Sequence, residues 1–262
     1  MIISKIQGGL GNQMFQYAYG RSLANKNNTK LYLDKRFYDG FQGNVVRTFL
    51  LDKFHNADVD TLLETIQSNY PINRISDNFN YRLLPRPVDC SYYLDGYWQS
   101  ERYFKEFESV IRHDFSPTFD IIDNILLKYP MVGSNCTSIH IRRTDYITSN
   151  GYHPVQSLGY YKSAIDIIGD YDNLFIFSDD IKWCEDNFHF DNMIFVKDND
   201  DVFDLYLMSL CSNNIIANSS FSWWGAWLNN NLDKKVIAPK SWFGKQANLN
   251  ESDIVPEKWI RI

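Results

Sequence analysis

Short apolar runs alternate with helix-length segments twice along this 262-residue chain, which points to packed parallel β-sheets. Residues 1–6 read as a buried strand. The glycine-rich turn Gln7-Gly8-Gly9-Leu10-Gly11-Asn12 follows, then a helix from Gln13 to about Asn25, where Met14, Tyr17, Ala18, Arg21 and Leu23 keep roughly helical spacing. Leu31-Tyr32-Leu33-Asp34 reads as the next strand, completing one βαβ unit. The second series begins near Cys136, with strands at 137–143, 173–178, 193–197, 214–217 and 235–238 and helices at 158–168, 181–188, 201–211 and 222–229. Between the two series, helices are expected at 56–68, 101–112 and 119–129, and a strand then turn at 92–98. The stretch 69–91, with Pro71, Pro85 and Pro87, reads as loop with short extended pieces. The boundary falls near 116–135, dividing the chain into domains 1–118 and 119–262. Two such α/β domains imply a cleft, with ligands outside the carboxyl ends of the strands.

The bulk numbers exclude some partners. A net charge of -6 and a pI near 5.4 argue against nucleic acid, whose phosphates call for a basic surface. They also argue against a strongly basic membrane-docking face, although peripheral association through a local patch stays open. Cys90, Cys136, Cys184 and Cys211 form no CxxC pair, so reduced thiols in a cytoplasmic protein are expected. No signal peptide and no bilayer-length apolar run are visible. Oligomeric state is not legible.

The residues just after the strands carry the chemistry. In Ile139-His140-Ile141-Arg142-Arg143-Thr144-Asp145, a strand running to 143 puts His140 and Arg142 on one face and Arg143 on the other. Burying a His and an Arg together is costly without a partner. A nucleotide diphosphate is one such partner, because guanidinium matches phosphate oxygens with two parallel hydrogen bonds. A buried Arg–Asp network is the other. At Gly8-Gly9-Leu10-Gly11-Asn12-Gln13 the glycines permit close approach to a ligand and the helix start favours negative charge. The spacing is not GxGxxG, and alone it reads as a tight turn. The same failure argues against a dinucleotide-binding oxidoreductase, although Asp34 suits one.

After an apolar strand at Ile215, the chain runs through Asn218, Ser219, Ser220 and Phe221 into a Trp-rich helix. The serines offer hydroxyls and N–H groups to phosphate oxygens, or simply cap the helix. Trp223, Trp224 and Trp227 are spaced for a buried face. In Phe177-Ser178-Asp179-Asp180, one carboxylate could accept from a guanine edge, or either could cap the helix from Ile181. Asp198-Asn199-Asp200 fits the metal-holding DxD pattern, but it precedes a helix, where acidic residues complement the dipole. His55, His113 and His189 lack ligand spacing, and His153 reads as an exposed loop residue.

Taken together, these segments resemble the α-1,2-fucosyltransferases. The matches are GGLGNQMFQYA near the N-terminus, GYWQSERYF at 96–104, HIRRTDY at 140–146, FSDD at 177–180 and IIANSSFSWWGAWL at 215–228, in the family's order. Ser212-Asn213-Asn214 departs from relatives that often carry His there. The resemblance implies a GT-B fold, with 1–118 on the acceptor side and 119–262 holding GDP-fucose. It implies that Arg142 grips the β-phosphate and stabilises departing GDP, with His140 as a nucleotide contact and Asp145 in the same cluster. Asn218, Ser219, Ser220 and Phe221 would line the phosphate loop. Asn12, beside Gly9 and Gly11, would face the fucose or the diphosphate. The implied reaction inverts the β-linked donor to an α-product on the 2-hydroxyl of a terminal β-galactoside, with no metal or cofactor. Asp95, Glu101 and Asp145 are the base candidates. A glycan-binding module without catalysis is the alternative, but a lectin needs no arginine pair beside a glycine turn.

Overall fold

The computed structural model describes residues 1–40, 46–59, 71–86, 90–133, 135–149 and 151–262. These form two compact units, Met1–Ser116 with Ser252–Ile254, and Pro117–Glu251 with Val255–Ile262. Among the described residues, no helix is long and apolar enough to cross a membrane.

The first unit is a parallel sheet in the order β2-β1-β4-β3, built from β1 (Ile2–Lys5), β2 (Leu31–Asp34), β3 (Ile72–Ser76) and β4 (Ser91–Asp95). Ile2 and Ile3 are fully buried, as central parallel strands require. Helix α1 (Leu10–Lys26) starts three residues earlier than the periodicity places it, so Gly11 and Asn12 belong to its first turn. This helix is buried nearly all round and therefore shows no apolar stripe at its start. Its buried Gln13 donates to the Gly8 and Thr48 carbonyls and accepts from Leu50 N–H, which closes the chain over the glycine turn. A Cβ on Gly20 would stand 2.8 Å from Leu31 and 3.1 Å from Ser4 Cβ, so this glycine lets α1 lie close on the sheet. Arg21 and Tyr17 converge on buried Asp114, tying α1 to α2 (Glu108–Asp114).

One departure from the sequence pattern appears here. The stretch expected as a helix over 101–112 begins with two 3₁₀ turns and becomes α-helical only at Glu108. β3 is one of the short extended pieces expected in the proline-bearing stretch, an edge strand just after Pro71, where a missing N–H costs no ladder bond. Of the helix expected at 56–68, residues 56–59 are not helical and 60–68 lie outside the described residues.

The second unit begins with α3 (Phe119–Lys128) and holds a six-stranded parallel sheet, β10-β9-β8-β5-β6-β7. Its strands are β5 (Cys136–Ile141), β6 (Asn173–Ser178), β7 (Met193–Phe195), β8 (Asn213–Ile215), β9 (Val236–Ala238) and the unforeseen β10 (Ile260–Arg261). Between them lie α4 (Thr144–Ile147), α5 (Leu158–Ile168), α6 (Ile181–Asn187), α7 (Asp201–Leu210) and α8 (Ser220–Leu228). Every β5 residue is buried. Trp223, Trp224 and Trp227 are core, as their spacing predicts, and Gly225 lets α8 approach Met208 of α7. In each sheet the strand order reverses beside the first strand, between β1 and β4 and between β5 and β8. Crevices outside the carboxyl ends at such switch points are where parallel sheets bind ligands.

Candidate active site

At the β5/β8 switch point, strand β5 stops at Ile141, two residues short of the expected end. Alternation therefore does not orient Arg142 and Arg143; their carboxylate partners do. Arg142 makes a two-pronged pair with Asp145, Nε to Oδ1 and Nη2 to Oδ2, both 2.9 Å, and its Nε lies 3.3 Å from Asp179 Oδ2. Among the described residues, nothing accepts from Nη1. Arg143 turns instead toward α6: its Nε lies 3.2 Å from Asp180 Oδ2 and its guanidinium 3.6 Å from the Trp183 ring centre. Asp179 fastens the strand end, accepting from the N–H groups of Arg143 (2.9 Å) and Thr144 (3.1 Å) and from the Thr144 hydroxyl. Burial alone would raise the Asp179 pKa, but Arg142's charge and these hydrogen bonds hold it below the usual carboxylate range. Asp180 caps α6 by accepting from Trp183 N–H at 3.3 Å.

From the β8 side, Ser219 stands at the N-cap of α8 without a side-chain capping bond, so its hydroxyl does not occupy the helix start. The Phe221 ring lies 5.7 Å from that of His140. His140 is buried, its Nδ1 without a partner among the described residues; burial first, then the charge of Arg142, push its pKa down to about 3. Asn218 is a brace: its amide accepts from Gln156 (3.0 Å) and donates to the Trp242 carbonyl (2.9 Å), while its own carbonyl accepts from the Tyr146 hydroxyl (2.8 Å). His153 is not the exposed loop residue that its setting after Gly151 suggests. It is half-buried and stacks on Tyr146 at 4.7 Å, with Phe243 at 5.8 Å. Burial lowers its pKa, with Asp145 opposing and Arg142 reinforcing. Tyr146 and Tyr152 are near in sequence, but Phe243 reaches His153 only through the folded path of 240–244, which local spacing could not reveal.

In the first unit, Gly8 adopts φ +82, a left-handed conformation suited to glycine, and brings the turn back against Asn12. Asn12 accepts from Gln99 at 2.8 Å. Gly9 is the N-cap of α1, and Gly11 lies in its first turn beside Asn12. Of the base candidates on this unit, Asp95 is engaged by Lys5 (3.1 Å) and Arg74, and Glu101 lies 3.9 Å from Lys105. Asp34 is held by Arg36 and the Tyr93 hydroxyl (2.7 Å). In the DxD-like run, Asp200 caps α7 through Phe203 N–H at 2.8 Å, and among the described residues no three or more His, Cys, Asp or Glu side chains group so as to hold a metal.

The glycosyl transferase family 11 profile matches residues 2–262. An alpha-1,2-colitosyltransferase of Escherichia coli is 34% identical, the match covering 100% of this chain and 99% of that one. The O-antigen biosynthesis glycosyltransferase WbnK of Escherichia coli is also 34% identical, covering 99% of both. Among solved structures, the NodZ alpha-1,6-fucosyltransferase soaked with GDP-fucose superposes with a TM-score of 0.54 at 15% identity, over 87% of this chain and 91% of that one. NodZ from Bradyrhizobium gives 0.53 at 16% identity, over 86% and 91%. That likeness establishes the fold, two parallel-sheet bodies of the GT-B-like class. With the profile spanning the whole chain and relatives matched end to end, this chain belongs to glycosyltransferase family 11 and is a glycosyltransferase.

Proposed function

We propose that this enzyme transfers L-fucose from GDP-β-L-fucose to the 2-hydroxyl of a terminal β-galactoside on a surface glycan, inverting the anomeric centre and using no metal. The observation that carries the reading is Arg142, locked by Asp145 and Asp179 with Nη1 uncommitted, at the same switch point as the α8 N-terminus. A fixed guanidinium and free helix N–H groups suit the negative charge that grows on departing GDP. Ser219, Ser220 and Phe221 would line the diphosphate, with neutral His140 beside it. Asp179 accepts three hydrogen bonds within the protein and Asp180 two, so Asp180, the less committed carboxylate, is assigned to the guanine edge. The second unit would hold the donor and the first the acceptor. The acceptor hydroxyl attacks opposite GDP in one displacement, and Asp145, held by Arg142, supports the leaving group rather than acting as base.

A colitosyl donor is the second reading, favoured by the full-length match to a colitosyltransferase. Incubation with GDP-fucose and GDP-colitose in parallel, against a panel of β-galactosides, tests both by mass spectrometry and linkage analysis. Fucosylation at the 2-hydroxyl is expected. Exclusive use of GDP-colitose, or a different linkage, overturns the first reading.

A further inference from the structure

We propose that Gln99, acting with Asn12, binds a hydroxyl group of one of the two reacting sugars; this rests on the glycosyl-transfer reading above. Gln99 Nε2 donates to Asn12 Oδ1 at 2.8 Å, while Gln99 Oε1 is shut away from solvent and, among the described residues, has no donor. Asn12 is only half-buried, and among the described residues nothing accepts from its Nδ2. A buried acceptor left unpaired costs about 1–3 kcal/mol, so native structures rarely keep one without a use. The pair thus leaves the Asn12 amide nitrogen uncommitted as a donor and the Gln99 amide oxygen uncommitted as an acceptor, the latter reaching a ligand as the side chain turns. A sugar hydroxyl, which both accepts and donates, satisfies both; a phosphate oxygen only accepts and is repelled by the amide oxygen. Turning both amides end for end exchanges the two roles and leaves the match to a hydroxyl intact.

The position supports a ligand. Asn12 follows β1 and Gln99 follows β4, the two strands that flank the switch point of the first sheet. The corner from Gly96 to Gln99 is also held in a costly conformation. Trp98 has φ +54, a left-handed value worth about 1–3 kcal/mol for a bulky residue. Three hydrogen bonds hold it there: Asp77 Oδ2 accepts from the N–H groups of Tyr97 (3.2 Å) and Trp98 (2.9 Å), and Gln16 Nε2 donates to the Gly96 carbonyl (3.1 Å). A Cβ on Gly96 would stand 2.1 Å from Asp77 Cβ, so only glycine permits the brace. Trp98 is buried beside Tyr19 and Tyr103. The backbone leading to Gln99 is therefore set, and its side-chain torsions, the soft terminal amide among them, are left to turn toward a ligand.

The test compares wild type with Gln99→Met, which keeps the bulk and loses both hydrogen-bonding groups. The substrates are GDP-fucose and a β-galactoside, each also as its monodeoxy series. In wild type, removal of one particular hydroxyl should raise KM about tenfold; in Gln99→Met the parent sugar should show that same rise and the deoxy analogue no further one. If the sensitive hydroxyl belongs to the donor series the pair reads fucose, and if to the galactoside series it reads the acceptor. GDP affinity by calorimetry and melting temperature should stay unchanged; if the variant does not fold, Gln99→Ala takes its place in the same cycle. Wild-type transfer with no hydroxyl coupled to position 99, or GDP affinity falling in step with KM, overturns the inference alone. A wild type that transfers from no GDP-sugar overturns the functional reading and takes this one with it.

Discussion

Arg142 and Arg143 are adjacent in sequence yet meet different partners. Arg142 is fixed by two carboxylates with one nitrogen uncommitted, while Arg143 lies over Trp183 and pairs with Asp180. Arg142→Lys keeps the charge and loses the fork, so kcat should fall on the order of a hundred- to thousand-fold with melting temperature nearly unchanged. Arg143→Lys should lower the melting temperature with a milder rate effect, because the ring contact and the pairing geometry both suffer. A stable, inactive Arg143→Lys beside an active Arg142→Lys would reverse the two roles. His140 supplies a second test at this scale. Its folded pKa is near 3 and its unfolded value near 6.5, so below pH 6.5 the unfolded chain binds more protons. Stability from this group is complete above 6.5 and falls as pH drops from 6.5 toward 3. The melting temperature should decline between pH 7 and 5, and His140→Asn should flatten that slope; an unaltered slope would clear His140 of the effect.

At the scale of elements, the loops after β5 and β9 are joined more tightly than their length suggests. Gly244 N–H donates to the Tyr152 carbonyl at 2.9 Å, and a Cβ on Gly244 would fall 1.6 Å from the Gly151 carbonyl oxygen. Since that neighbour is backbone, Gly244→Ala must push the 151–153 loop away, and with it the rings of Tyr152 and His153 that meet Phe243. Urea unfolding should show a loss of about 1–3 kcal/mol. No loss would mean that this loop yields freely. Asn218 acts at the same scale, since one buried amide joins the 153–157 loop to the 240–244 loop.

For the whole molecule, the proposed donor chemistry needs no cation, so activity should persist in EDTA. Asp198→Asn and Asp200→Asn should leave turnover largely intact, because Asn replaces Asp well as a helix cap. Activity that collapses with chelator and returns with manganese would overturn the metal-free mechanism. The guanine assignment is read by calorimetry: GDP should bind well above ADP and UDP, and equal affinities would leave Asp180 with only its helix cap and its pair with Arg143.

The alternation of apolar runs determined the parallel-sheet class, because side-chain periodicity is a local property that the chain carries wherever it folds. Spacing likewise marked the tryptophans of α8 as core, and the strand-end positions of Arg142, Asp179 and Ser219 as the places to look. Helix and strand ends were less legible: α1 begins at Leu10 and β5 stops at Ile141, since caps and neighbouring carboxylates settle ends that periodicity does not see. What only the tertiary structure decided is which polar group faces which. Arg142 and Asp145 are three residues apart, but Asp179 reaches Arg142 from just past β6, Gln156 and Trp242 meet through Asn218, and Gln99 finds Asn12 across 87 residues. Hydrogen bonds of that kind depend on positions set by packing between strands, and no pattern within one segment encodes them.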